Sequence, residues 1–122
     1  MLKSMKPLIF VGSSQDDIRE FGKKASVSIG TELLAVQMGA EPTDWKPMKT
    51  IGAGVKEIRT HDGKEVRTIY IAKFSESVYV LHSFVKKTRT TPKKDIQIAK
   101  ERLNYVNQQR KKSSSKKQKS KT

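Results

Sequence analysis

The sequence predicts an α+β domain in which two N-terminal helices pack on a small, curved antiparallel sheet and a third helix lies C-terminal to it. Three observations lead to this fold class. β-Branched and aromatic residues are concentrated between residues 55 and 86, interrupted only by short polar breaks, as in a meander of strands. Apolar residues recur at helical spacing both before and after this region. A chain of 122 residues has room for one such core.

The N-terminal third is predicted to hold an edge strand and two helices. An apolar run at residues 8–11 predicts the strand. Residues 13–17 read Ser-Ser-Gln-Asp-Asp, and a serine cap followed by aspartates is typical of a helix start. A second helix is predicted from residue 25 to residue 38, where three apolar residues share one stripe: Ile29, Leu33 and Val36. These helices need an apolar partner, and the strands after residue 55 are the partner available.

Residues 41–47 are predicted to form a connector, because prolines at positions 42 and 47 exclude a helix. This segment contains the only tryptophan, Trp45. Its indole either pins the connector to the body or stacks on a nucleic-acid base. Packing is the favoured interpretation, because tryptophan is largely buried in most proteins.

Three strands are predicted in the central region, at Val55–Thr60, Val66–Phe74 and Val78–Lys86. An Asp62-Gly63 turn joins the first two. Alternation places four residues of the second strand on one face: Arg67, Ile69, Ile71 and Lys73. It likewise groups five residues of the third strand: Val78, Val80, His82, Phe84 and Lys86. One face of the sheet is therefore predicted to pack on helices while the other presents cations to a ligand.

A third helix is predicted after Thr91, which can cap it, with Pro92 at its first position and Asp95 in its first turn. It is expected to end near residues 108–109. Residues 110–122 contain no apolar side chain, so no burial offsets the entropy cost of ordering them. The predicted organisation is a domain at residues 1–109 and a disordered basic tail at residues 110–122.

Composition restricts the function classes. The chain has no cysteine, no apolar run long enough to span a membrane and no apolar signal segment near its start, which predicts a cytoplasmic protein with no membrane partner. Its net charge is +14. An excess of this sign favours a polyanionic partner, most commonly nucleic acid, although a charged surface that serves only solubility is an equal alternative.

The candidate site residues are cationic. Arg67 can clamp a phosphate bidentately, although a solvated strand position is an equal alternative. Arg59 on the neighbouring strand raises the same possibility, with a pair to Glu57 or Glu65 as its alternative. His82 can carry a proton near neutral pH, and Phe84 can stack a base, although packing is the favoured role of both. Lys73 shares the predicted face of Arg67. Five further cations surround the start of the third helix, where the dipole favours anions: Lys86, Lys87, Arg89, Lys93 and Lys94. No metal-ligand spacing occurs, so neither metal nor cofactor is expected.

Several short segments occur in a specific order after the two predicted helices. They are Asp44-Trp45-Lys46-Pro47-Met48-Lys49, Gly54-Val55-Lys56-Glu57-Ile58-Arg59, Val66-Arg67-Thr68-Ile69-Tyr70, Val78-Tyr79-Val80-Leu81-His82-Ser83-Phe84-Val85-Lys86-Lys87-Thr88 and Thr91-Pro92. In this order they resemble the phage-derived HigB-type branch of the RelE/ParE toxin superfamily, over about residues 7–106.

The resemblance implies a fold like that of small microbial ribonucleases and a toxin of a type II toxin–antitoxin pair. Such toxins cut messenger RNA on the ribosome, in contact with ribosomal RNA, and a helix-turn-helix antitoxin of the HigA type restrains them. By motif position, Arg67 matches the strand arginine of RelE-type sites and Arg59 the arginine that closes the preceding strand. Lys86 and Lys87 fall where the last strand supplies further cations.

RNA cleavage needs no metal, because the 2′-hydroxyl can attack the adjacent phosphorus. On this interpretation the chain is a metal-independent endoribonuclease. Arg67 and Arg59 hold the phosphate, and either Lys87 or His82 is the base. Two alternatives remain open. One is a ParE-like gyrase inhibitor, and the other is a non-catalytic basic RNA-binding accessory protein.

Overall fold

The computed structural model describes residues 5–119 of the chain. Eight elements follow in chain order: β1 Leu8–Phe10, α1 Ser14–Glu20, α2 Lys23–Gln37, β2 Trp45–Pro47, β3 Val55–Thr60, β4 Val66–Ile71, β5 Val78–Val85 and α3 Lys93–Lys119. The predicted α+β class is confirmed. No helix in residues 5–119 combines the length and apolar character needed to cross a membrane.

The strands form one five-stranded sheet in the order β1-β5-β4-β3-β2. Neighbouring strands are antiparallel except β1, which runs parallel to β5. The prediction of an antiparallel sheet is therefore wrong at this edge. The chain leaves β1 through two helices, enters the sheet again at the opposite edge and returns to β1 only with β5. A connection of this length, unlike a hairpin, allows parallel neighbours.

Helices cover both faces of the sheet. Apolar residues of α1 and α2 pack on one face, together with Ile58, Val66 and Tyr70 of the sheet. Apolar residues of α3 pack on the other face, around Ile69 and Ile71. The predicted arrangement, with helices on one face and cations on the other, is wrong, because α3 folds back over the second face and leaves only one end of it to polar residues.

A β-bulge changes which residues of β5 lie on each face of the sheet. Ile69 of β4 pairs with His82 of β5, but the next residue, Tyr70, pairs with Val80. Leu81 is therefore an extra residue in β5. The two halves of β5 therefore point their even-numbered residues to opposite faces. The prediction that residues 78, 80, 82, 84 and 86 share one face is wrong for this reason.

α3 continues to Lys119, so the predicted helix end near residue 108 is wrong. Extending a formed helix adds a hydrogen bond per residue without a new nucleation cost, and lysine, arginine and glutamine are good helix formers. The assignment of a separate basic tail stays a prediction, and its last three residues lie outside the described range.

Arg110, the first residue of the predicted tail, packs on the turn between β4 and β5. Its Nε lies 2.6 Å from Oε2 of Glu76, and its guanidinium carbon lies 3.7 Å from the ring centroid of Phe74. The Tyr79 hydroxyl donates to the same carboxylate at 3.0 Å. We call Phe74, Glu76, Tyr79 and Arg110 the C-terminal clasp. It joins the C-terminal half of α3 to the sheet.

Candidate active site

A buried carboxylate surrounded by cations occupies one end of the sheet. Glu57 of β3 is fully buried, and its Oε1 lies 3.9 Å from Lys46 Nζ, 3.9 Å from Arg59 Nε and 4.0 Å from Arg67 Nε. The Thr91 hydroxyl donates to Glu57 Oε2 at 3.0 Å. We call Lys46, Arg59, Arg67 and Lys86 the cation cluster. Glu57 is the acid that the first three contact, and its charge also acts on Lys86.

Strand register brings the cluster together. Lys46 of β2 lies opposite Glu57, and Arg59 of β3 lies opposite Arg67 of β4. Residues 57 and 59 share a face because a strand alternates. β2 was predicted to be part of a connector. It is instead a three-residue edge strand, which is how Lys46 reaches the site.

The site contains polar groups that no hydrogen bond satisfies. Oε1 of Glu57 and the Nε atoms of Arg59 and Arg67 are buried and have no hydrogen-bond partner. Their separations of 3.9–4.0 Å exceed hydrogen-bond range, so ionic attraction holds the group together. Unsatisfied buried polar groups are few in folded proteins, and a bound ligand or a catalytic role is one of the reasons for which they are kept.

Arg67 is more deeply buried than a ligand-facing strand residue was expected to be. It is 7% exposed. Its Nη1 donates to the Val66 carbonyl at 3.0 Å and to Glu65 Oε1 at 3.3 Å. The Arg59 side chain is 32% exposed, so it is the more accessible of the two arginines. Arg67 therefore contributes to the packing of the fold as well as to the site.

Lys86 follows β5 directly and is half-buried, with its backbone N–H bonded to the Glu65 carbonyl. Burial lowers the pKa of its ammonium group, and the nearby Arg67 lowers it further. Lys46 and Arg59 act in the same direction, while Glu57 opposes them. This lowered pKa makes the neutral form of Lys86 more accessible than that of an ordinary lysine.

His82 is held in place on the same face. Its Nε2 lies 2.7 Å from Asp95 Oδ1, and both side chains are more than nine-tenths buried. Arg102 Nη1 lies 3.5 Å from its Nδ1. Because a guanidinium only donates, Nδ1 accepts and Nε2 donates to Asp95. The ring also stacks on Phe84, with centroids 5.4 Å apart.

The remaining candidates lie outside the cluster. Phe84 belongs to the core under α3, in keeping with its favoured packing role. Lys87 and Arg89 are exposed in the loop after β5, and Lys93 and Lys94 are exposed in the first turn of α3. Lys73 follows the far end of β4, where its Nζ lies 5.5 Å from the Phe74 ring centroid.

The structure thus brings together three predicted residues, Arg59, Arg67 and Lys86. Sequence reasoning missed Lys46 and the central role of Glu57. One signal was present: Glu57 and Arg59 are two residues apart on one strand and so face the same way. Nothing in the sequence placed Lys46 beside them, because the pairing of β2 with β3 is a tertiary contact.

Comparison with known proteins adds the family. No curated protein matches the sequence. The model of the family described as "Phage derived protein Gp49-like (DUF891)" matches residues 16–104, or 89 of the 122 residues. That span contains all four residues of the cation cluster as well as Glu57 and Thr91. The chain belongs to the Gp49-like family of phage-derived proteins.

Proposed function

We propose that the chain is the toxin of a type II toxin–antitoxin pair and cleaves messenger RNA on the ribosome without a metal ion. The observation that supports this most directly is the convergence of three cationic side chains on one fully buried carboxylate, with Lys86 close enough to feel its charge. The phage-derived family and the resemblance to HigB-type toxins favour the same class.

RNA is the substrate that fits the charges of the site. Guanidinium groups bind phosphate oxygens with paired hydrogen bonds, and the cluster contains two of them on adjacent strands. Glu57 is inaccessible, so its charge holds the cluster together while the outer edge of the site presents mainly cations. The net charge of +14 draws a polyanion towards this surface.

The proposed reaction is an internal transesterification. The 2′-oxygen forms a bond to the adjacent phosphorus, the bond from phosphorus to the 5′-oxygen breaks, and the products are a 2′,3′-cyclic phosphate and a 5′-hydroxyl. Arg59 and Arg67 hold the phosphate and neutralise the charge that develops on it. A base removes the 2′-hydroxyl proton, and the departing 5′-oxygen takes up a proton.

Lys86 is the proposed base. In its neutral form it can accept the proton, and its lowered pKa raises the fraction that is neutral. Lys87 is exposed and lies outside the cluster, which makes it the weaker candidate. His82 would have to break its bond to Asp95 before it could reach a substrate.

The ribosome supplies orientation. The described residues hold strong charge-stabilising groups but little equipment for proton transfer, so positioning must contribute much of the acceleration. A well-oriented internal attack lowers a barrier by roughly 7–11 kcal/mol. A message held by the ribosome is already ordered, whereas free RNA is not.

Cleavage of a translated message tests the proposal. Primer extension on translating ribosomes should show cuts with the parent protein and a loss of about 100-fold or more with Arg59→Ala, since one preorganised donor contributes about that much. Lys56→Ala is the matched control. Lys56 is the preceding cation of β3, and it points to the other side of the strand, 2.9 Å from Glu41 and 4.4 Å from the Trp45 ring centroid.

Three results would contradict the proposal: full cutting by folded Arg59→Ala, equal loss with Lys56→Ala, or equal cutting of free RNA. Cleavage complexes on DNA in place of cut messages would support a gyrase inhibitor. Arg67→Ala should also abolish cutting. Because Arg67 is buried, circular dichroism must show that this variant is folded. Arg67→Lys should restore the activity only in part, because a point charge cannot replace a two-pronged contact.

A further inference from the structure

An exposed tyrosine on α3 lies outside both hydrophobic clusters. α3 buries Ala99, Leu103 and Val106 against the sheet, whereas Tyr105 lies on its outer side and is 56% exposed. A large aromatic ring in this position does not contribute to the core. Exposed aromatic rings on basic surfaces are the platforms on which unpaired bases stack.

The surroundings of Tyr105 are basic and amide-rich. No acidic residue follows Glu101 in the sequence, whereas Arg110, Lys111 and Lys112 lie within two turns of Tyr105 and four further lysines follow Ser114. Lys111 and Lys112 are exposed. Amide side chains that can bond to base edges accompany them: Asn104, Asn107, Gln108 and Gln109.

A cleft lies on a neighbouring side of α3, and Tyr105 is not among its lining residues. It has a volume of about 790 Å³ and lies between α3 and the turn that joins β4 and β5. Its lining includes Tyr79, Asn104, Asn107 and Lys111. The C-terminal clasp forms one wall, so the ion pair of Arg110 with Glu76 also fixes the helix against the cleft. The size is within the range of small-ligand pockets, which suits one unpaired nucleotide.

We propose that α3 from Tyr105 to Lys112 is a second RNA-binding surface, on which an unpaired base stacks on Tyr105 and Lys111 and Lys112 contact the adjacent phosphates. The choice of RNA rests on the proposed function, but the surface is separate from the cation cluster. Thr91, which binds Glu57, precedes Tyr105 by fourteen residues, about 20 Å along a helix. An RNA strand held at both places would be fixed in direction as well as in position.

The test uses the full chain and a short single-stranded oligoribonucleotide with 2′-O-methyl groups, which cannot undergo internal attack. One base is 2-aminopurine, whose fluorescence falls when it stacks. Tyr105→Ala should weaken binding about 5-fold or more and remove the fluorescence change. Tyr105→Phe keeps the ring face and should behave like the parent.

The lysines are tested by salt dependence. The double variant Lys111→Gln, Lys112→Gln should reduce the slope of log affinity against log salt by about 1.4, since each phosphate contact on a single strand contributes about 0.7. The matched control is Lys23→Gln, Lys24→Gln, two adjacent exposed lysines at the start of α2, which should leave the slope unchanged.

The inference is wrong if Tyr105→Ala binds and quenches like the parent, if Tyr105→Phe is as weak as Tyr105→Ala, or if the control pair changes the slope equally. Arg59→Ala should retain the Tyr105-dependent quenching. A parent protein that cuts no message yet shows this quenching would overturn the proposed function and leave the second surface standing.

Discussion

Glu57 is the residue on which the candidate site depends. Sequence reasoning treated it only as a possible partner of Arg59, because a strand glutamate two residues from an arginine is most simply explained as a surface pair. Its burial follows from the pairing of β3 with both neighbours and from the Thr91 bond above it. Arg59, Arg67 and Lys86 were predictable from charge and strand position, whereas the acid that gathers them was not.

Replacing Glu57 by glutamine should destabilise the protein. The substitution keeps the shape but leaves Lys46, Arg59 and Arg67 facing one another without a countercharge. Removing one member of a buried ion pair costs about 3–5 kcal/mol, and the partial exposure of two partners favours the lower end.

Urea denaturation followed by circular dichroism measures the change. Glu65→Gln is the control: this exposed acid also contacts Arg67, and its loss should cost less than about 1 kcal/mol. Equal stability of Glu57→Gln and the parent would show that the cations do not need this carboxylate. The pKa of Lys86 should fall further in Glu57→Gln, because Glu57 raises it in the parent.

Three elements differ from their prediction, each because of contacts distant in sequence. β2 forms because the edge of β3 is available to pair with it. It does so although Pro42 lies just before the strand and Pro47 is its last residue. The bulge at Leu81 cannot be found from alternation, since the even-numbered residues Val80 and Phe84 are both apolar although they lie on opposite faces of the sheet. α3 extends beyond its apolar stripe because its last residues are good helix formers, and the C-terminal clasp, whose four residues come from two separate segments, fixes it to the sheet at Arg110. Helix starts and strand positions were predictable because they depend on neighbouring residues.

The clasp should show its contribution to stability in acid. The bond from Arg110, with a smaller contribution from Tyr79, lowers the pKa of Glu76 from 4.5 to about 2. Between these values the unfolded chain binds a proton that the folded chain does not. The clasp therefore stabilises the fold above pH 4.5, and this contribution is lost as the pH falls to about 2.

Arg110→Gln should remove that part of the acid dependence. The carboxyl chemical shift of Glu76, followed by NMR, should then titrate near its ordinary pKa. Lys111→Gln is the control, as the next cation along the helix. A Glu76 pKa that stays near 2 in Arg110→Gln would show that another group lowers it.

At the scale of the whole molecule, the two faces of the sheet are covered by different helices. α1 and α2 cover one face, and α3 covers the other from the cation cluster at one end to the C-terminal clasp at the opposite end. The first proposed RNA contact thus lies beside the start of α3, and the second lies on the middle turns of the same helix. The excess of positive charge was evident from the sequence. Its division between the cation cluster and the surface around Tyr105 could be seen only from the path of α3.

Growth of a bacterial host tests the class of the protein. Induced expression should arrest growth, and co-expression of a small helix-turn-helix antitoxin encoded beside the gene should relieve the arrest. The Arg59→Ala variant, produced at the same level, should permit growth. Normal growth with abundant, folded parent protein would count against a toxin.

The parallel pairing of β1 with β5 also determines when the protein can fold. Leu8 pairs with Val78, seventy residues later, so β1 has no neighbour until β5 has been synthesised. Until then α1 and α2 also lack the strand that carries Val78 and Val80, on which they pack. Contacts so distant in sequence form slowly and late. During its own synthesis the chain therefore cannot complete its sheet before β5 has been made, and a protein proposed to attack translating ribosomes cannot assemble its cation cluster before Lys86, which directly follows that strand, has been added.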